Sequence, residues 1–355
     1  MLYKKTSVFY EDLENISSDT GIPWKKLAGK IVLVTGSTGL IGSCIVRTLL
    51  WQKKYLENPP KVLALVRNLE KAKKKFRSEI ELYKTNLYLL EGDICNLPEI
   101  DGNIDFIIHA ASITSSYAFT NEPVEVIRVA VLGTNNLINL GINKGIQGFV
   151  YFSSMEVYGM PQKGHAVTEN EIFGFNPTVI RNSYSISKQM CESLCLSADS
   201  EYGIPVYILR LTQTFGPEAE YTDKRVFAEF MRCVLEKRDI ILKTPGLSER
   251  CYIYTADAVK AVFTVLLKGN NREIYNVANP DTYCSILNMA KLVAKDIADG
   301  KISVKIEQEK DLQIYGYADT LYMQLDISKI KALGWKPETG LKEMFSRMLK
   351  GNMER

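Results

Sequence analysis

Two histidines, His109 and His165, are all that 355 residues hold, and the seven cysteines lie far apart with no paired CxxC spacing. A structural zinc cluster needs several such ligands at close spacing, so no metal site is expected. The odd cysteine count reads as reduced thiols, with Cys191 and Cys195 packing one helical turn apart. Excess charge is also missing: 44 Lys and Arg stand against 41 Asp and Glu, a balance of +3. That is too small and too dispersed to mark nucleic acid as the main partner. The one basic run, 71–75 with Arg77, has Leu69, Ala72, Phe76 and Ile80 on a core-facing side and reads as a solvated helix face. Long apolar runs are absent as well. Segments such as 31–34 are far too short to span a bilayer, and Lys4 and Lys5 lead into Thr6, Ser7 and an acidic stretch instead of a secretory core. The expectation is a cytoplasmic protein with no membrane or nucleic-acid partner.

What the chain does have is 46% apolar content arranged in short continuous runs at 31–35, 62–66, 87–90, 105–108, 149–153 and 206–210. Runs of this length, separated by amphipathic stretches, describe strands of a parallel sheet covered on both faces. The predicted fold is a doubly wound α/β domain of Rossmann type with a smaller C-terminal substrate-binding lobe. Helices are predicted over 123–139, from Val126, Ile127, Ala130, Leu137 and Ile138, and over 185–200, from Ile186, Met190, Leu194 and Ala198. Residues 29–216 and 252–278, the latter ending in a strand-like 274–278, are assigned to the dinucleotide-binding domain. The lobe takes 217–251 and 279–355, and 1–28 stands as an N-terminal extension whose role the sequence does not show.

Thr35-Gly36-Ser37-Thr38-Gly39-Leu40-Ile41-Gly42 follows the first buried run and opens a helical pattern. Gly36 permits a sharp turn, Gly39 a close approach of backbone to a pyrophosphate, and Gly42 tight helix packing. The amides of the helix N-terminus then face the anion. Further along, Tyr184-Ser185-Ile186-Ser187-Lys188 sets a phenol and an ammonium on one helix face. A cation beside a phenol favours phenolate, which can remove a hydroxyl proton as hydride leaves the same carbon. About 30 residues upstream, Phe152-Ser153-Ser154-Met155-Glu156-Val157-Tyr158-Gly159 begins at the end of a buried run, where open sheets bind ligands.

Together these motifs resemble the extended short-chain dehydrogenase/reductases, the nucleotide-sugar-modifying epimerase/dehydratase group, over most of 30–355. Within that resemblance the cofactor is NAD(P), contacted by Gly36, Thr38, Gly39, Leu40, Ile41 and Gly42, then Arg67, Asp93, Ile94, Ala110, Ala111, Ser112, Tyr184 and Lys188. Asp93 meets adenine. His109 either has a catalytic role or is a satisfied histidine at a strand end. Where NAD-specific members place an acid on the ribose, this chain reads Leu65-Val66-Arg67-Asn68, which favours NADP through Arg67. Catalysis is assigned to Ser154, Glu156, Tyr184 and Lys188, and substrate contacts to Thr114, Ser154, Gln213 and Arg250. The last two come from LRLTQTFGP (209–217), similar to the family's LRxxNVYGP, and ERCYIYTAD (249–257), similar to its RxxxYVxD. A salt bridge from Arg250 to Asp257 or another acid is the competing structural explanation. Gln213 and Ala130 depart from the family's usual asparagines.

The resemblance implies oxidation of a nucleotide sugar at C4 with Tyr184 as base, in a homodimer formed through helices 123–139 and 185–200. Dehydratases carry an Asp-Glu pair after the Ser/Thr, where this chain has Met155 and Glu156, and methionine cannot donate a proton. Retention of Glu156 is similar to the UDP-glucuronate decarboxylases. A 4-epimerase, an NADPH carbonyl reductase and a non-enzymatic NADP-sensing regulatory protein are the alternatives.

Overall fold

The computed structural model describes residues 7–308 and 320–354, so the expected extension and lobe lie partly outside the described residues. Seven strands form the central sheet: β1 (Ile31–Thr35), β2 (Lys61–Val66), β3 (Leu87–Glu91), β4 (Phe106–His109), β5 (Gly148–Ser154), β6 (Val206–Leu211) and β7 (Glu273–Val277). They run in the order β7-β6-β5-β4-β1-β2-β3, and each neighbouring pair is parallel. β1 to β6 are the six runs read from the sequence, with ends moved by no more than one residue. The residues Val32, Leu33, Val34, Ile107, Ile108, Phe149 and Val150 are fully buried, because helices cover both faces. Strand order reverses direction between β1 and β4, which leaves a crevice beyond the carboxyl ends of these two strands.

The helix Leu40–Trp51 begins directly after the glycine turn. Pro123 opens the helix Pro123–Lys144, where its missing amide hydrogen is harmless, and Gly145 closes it in the left-handed conformation at φ 61°. The helix Ser183–Tyr202 packs beside it and ends at Gly203, also left-handed. The first helix outruns its predicted span by five residues at its C-terminus and the second by two at each end, and these glycines cap both last turns. Cys191 and Cys195 lie in the core.

A second sheet joins Gln213–Phe215, Glu249–Tyr254, Asn279–Ser285, Tyr322–Leu325 and Ala166–Val167. The chain passes from one sheet to the other at Thr212. Its amide donates to the Val277 carbonyl at 3.1 Å, and its hydroxyl donates to the Cys251 carbonyl. Gln213 is therefore held at the seam between the sheets. The N-terminal helix Val8–Ser17 packs on the helices Leu40–Trp51, Thr255–Lys268 and Leu341–Met353, with Val8, Leu13 and Ile16 buried. Among the described residues no helix is long and apolar enough to cross a membrane.

Candidate active site

A cavity of about 480 Å³ opens along the carboxyl ends of the central strands. Its floor is the glycine turn. Gly36 has φ 64°, and a Cβ there would lie 2.7 Å from the Ala111 nitrogen. A Cβ on Gly42 would lie 2.1 Å from the Gly36 oxygen, so this glycine packs the helix against the turn itself. Gly39 is the helix N-cap, and its amide donates to the Gly36 carbonyl at 2.9 Å. The free amides of the first helical turn are left for an anion. Behind the strip 110–112, His109 is fully engaged: Nδ1 lies 2.9 Å from Thr35 Oγ1 and Nε2 3.1 Å from Thr134 Oγ1. The Ala111 amide donates to Thr35 Oγ1 at 3.2 Å, and Thr134 Oγ1 donates to the Ala130 carbonyl at 2.6 Å. Burial pushes the imidazole down to about 3, helped by the Lys188 charge. His109 is thus a neutral strut holding the strip over the turn, the satisfied histidine of the two alternatives.

Every residue assigned to the cofactor from sequence lines this cavity, from Gly36 and Thr38 through Arg67, Asp93 and Ser112 to Tyr184 and Lys188. Arg67 is exposed at its rim. These residues fit a dinucleotide: a glycine cradle that a side chain would fill, helix amides for the diphosphate, and a long cleft leading to the Tyr184 end.

At that end β5 stops at Ser154, whose Oγ accepts from the Glu156 amide at 3.2 Å. Tyr184 sits in the first turn of the helix Ser183–Tyr202, 7% exposed. Burial, and next the Glu156 charge, push its phenol up, while a hydrogen bond with Ser154 and the charges of Arg225 and Arg181 pull it back. Lys188, one turn along, is held down to about 8 by burial. Its Nζ lies 4.8 Å from the centre of the Tyr151 ring and 5.9 Å from that of Tyr184. Glu156 lines the cavity and pairs with Arg181, Nη1 to Oε2 at 3.1 Å. Met155 is buried, its sulfur 3.2 Å from Thr212 Oγ1.

Thr114 and Gln213 also line the cavity, and Gln213 Oε1 is buried without a partner among the described residues. Arg250 does not join them. It sits half-buried on Glu249–Tyr254 outside the lining, and its Nε is likewise buried without a partner. Asp257 does not hold it, since its Oδ2 accepts from the Glu338 and Thr339 amides instead. Sequence reasoning missed Phe119, Lys71 and Arg225, which all line the cavity. Only Lys71 carried a signal, as part of the basic run.

A dinucleotide cradle that leads to a serine, a tyrosine and a lysine in one cleft defines an extended short-chain dehydrogenase/reductase. The chain belongs to the NAD dependent epimerase/dehydratase family, which matches residues 32–278. It is 29% identical over 324 residues to a dTDP-D-glucose 4,6-dehydratase of Mus musculus, covering 88% of this chain and 86% of the other. A UDP-glucuronic acid decarboxylase 3 of Arabidopsis thaliana is 28% identical over 314 residues, with the same coverage. Among solved structures, a UDP-glucuronic acid 4-epimerase from Bacillus cereus in complex with NAD superposes with a TM-score of 0.74 at 20% identity, covering 92% of this chain and 100% of that one. The chain is therefore an enzyme of this family, which sets aside the sensor alternative.

Proposed function

We propose that the protein binds NAD(P) and a nucleoside-diphosphate sugar, oxidises the sugar at C4, and then acts on it through Glu156 in the manner of a UDP-glucuronate decarboxylase. One observation carries this reading: Ser154, Glu156, Tyr184 and Lys188 line a single cavity together with the glycine turn. The dinucleotide, when bound, supplies the hydride acceptor. Tyr184 removes the proton of the C4 hydroxyl, Ser154 holds that hydroxyl by a hydrogen bond, and the Lys188 ammonium stabilises the phenolate. Glu156 is the carboxylate at this end of the cavity; the other lining carboxylate, Asp93, belongs to the turn after β3. Met155 gives no acid for a 4,6-elimination. A 4-epimerase is the second reading, favoured by the Arg181 pairing, which occupies Glu156 without asking chemistry of it.

Arg67 at the cavity rim, with no acid at the equivalent of the ribose position, supports NADP over NAD. Titration of both cofactors into nucleotide-free protein tests this, and tighter NAD binding that is unchanged in Arg67→Ala rejects it. Exposed Val124, Ile127, Leu132 and Met190 on the two paired helices support a homodimer built as a four-helix bundle. A 40.1 kDa particle in light scattering at micromolar concentration argues against it. The deciding experiment for the reaction is a panel of UDP-, CDP-, GDP- and dTDP-sugars, with products resolved by mass spectrometry and NMR. Formation of a pentose from a uronate supports decarboxylation; an inverted C4 centre alone supports the epimerase.

A further inference from the structure

Three side chains from three separate segments meet beside the base. The Phe119 ring, on the short helix Ser116–Asn121, stacks on the Tyr184 ring with centroids 4.2 Å apart and planes 14° from parallel. The Arg181 guanidinium lies 5.7 Å from the centre of the Phe119 ring and also holds Glu156 at 3.1 Å. Ser183 Oγ donates to the Phe119 carbonyl at 3.3 Å, which ties the short helix to the start of the Tyr184 helix. Phe119 is 2% exposed yet contributes to the cavity wall.

The torsion that turns a tyrosine ring about its Cβ–Cγ bond is soft and two-fold, so the backbone alone does not fix where the hydroxyl points. A ring laid on Phe119 is left with one plane. The hydrogen bond with Ser154 depends on that direction. Charge at the site follows the same grouping: Glu156, Arg181 and Arg225 act electrostatically on Tyr184, Tyr184 acts on the Tyr151 phenol, and Lys188 Nζ lies 5.9 Å from the centre of the Tyr184 ring. Glu156 opposes a phenolate, and Arg181 both pairs with Glu156 and adds a cation, so loss of Arg181 acts twice in one direction.

We propose that Phe119 and Arg181 are positioning residues for Tyr184, Phe119 fixing the plane of its ring and Arg181 offsetting the Glu156 charge beside it. The proposal rests on Tyr184 being the base, and its test has an arm that does not.

In the full-length protein without substrate, aromatic NMR of labelled tyrosine, with Tyr184 identified through Tyr184→Phe, reads ring flipping and ring-current shift. Phe119→Leu should speed the flipping of Tyr184 and remove its ring-current shift, and Phe119→Tyr should restore both. In single turnover with the nucleotide sugar found by the panel, Phe119→Leu should slow cofactor reduction about tenfold with KM changed less than about twofold, and Phe119→Tyr should recover most of the loss. Arg181→Gln should move the acid limb of the pH profile up by about one unit, and Arg181→Lys should bring it partly back. Unchanged Tyr184 ring dynamics in Phe119→Leu, or an unmoved limb in Arg181→Gln, overturns the proposal. If Phe119→Leu does not fold, the Arg181 pair decides. If no nucleotide sugar reduces the cofactor, the reaction assignment fails while the NMR arm still judges the stack.

Discussion

Lys188 Nζ donates to the carbonyl oxygen of Phe152 at 2.6 Å, tying the helix that carries the ammonium to the strand that ends at Ser154. This bond spans two elements whose motifs lie about 30 residues apart in sequence, and it sets the spacing between hydroxyl, phenol and cation. With its ammonium held down to about 8, Lys188 still carries most of its charge at neutral pH. Tyr184→Phe should therefore lower turnover by roughly 10²-fold to 10⁴-fold while leaving nucleotide-sugar affinity by calorimetry largely intact, because proton transfer alone is removed. Near wild-type turnover in that variant overturns the assignment of the base.

Gly42→Ala tests the cradle. The added Cβ meets the Gly36 carbonyl oxygen, a backbone atom that cannot swing away. The helix must shift off the turn, with a cost of about 1–3 kcal/mol in stability and a larger loss in dinucleotide affinity. Gly340→Ala, at a site with open space around the Cβ, is the control. Equal dinucleotide affinity in the two variants would falsify the role given to the turn.

His109 makes acid stability informative. Its folded-state value of about 3 lies below the ordinary 6.5, so between those pH values the unfolded chain binds a proton that the folded chain refuses. Its contribution is full above about pH 6.5 and is lost as pH falls towards 3, on the order of 5 kcal/mol across the window. Asp12 acts the other way: burial raises it to about 6, so its contribution is lost as pH rises through that value. The Asp12 effect cancels when wild type is compared with His109→Gln. Urea unfolding at a series of pH values should show the wild type losing stability faster below pH 6.5. Parallel curves would mean that the imidazole is not buried neutral.

The sheet and the cofactor cradle were legible because their signals are local: apolar runs of four or five residues, and glycines whose spacing fixes a turn. Tyr184 and Lys188 were legible for the same reason, as neighbours on one helical face. Phe119 and Arg225 were not, since only the approach of distant segments brings them to the cleft. The N-terminal helix shows the limit most plainly. Asp12 interrupts its apolar stripe, and the reason is Arg347, whose Nη2 donates to Asp12 Oδ1 at 2.7 Å, with Tyr254 donating to Oδ2 at the same distance. No pattern within 1–28 announces a partner 335 residues away. Arg250 is the converse case: its motif resembles a substrate contact, but the described residues leave it outside the cavity, on a strand of the second sheet.

Glu156 separates the two readings of the reaction. Its carboxylate lines the cavity one residue beyond buried Met155, two beyond Ser154, and is held by Arg181. A carboxylate there can move a proton or destabilise a substrate carboxylate after C4 has been oxidised, whereas an amide keeps the shape and loses both abilities. Glu156→Gln should therefore stop the overall reaction without abolishing oxidation. It should also relieve Tyr184 of the negative charge that opposes its ionisation, so the oxidation step gains at lower pH. Single-turnover absorbance of the reduced cofactor, with the sugar product followed by mass spectrometry, separates the steps. Accumulation of reduced nicotinamide and a keto-sugar places Glu156 after oxidation. Normal turnover in Glu156→Gln removes the main support for the decarboxylase reading and leaves the 4-epimerase, in which Arg181 keeps Glu156 as a spectator.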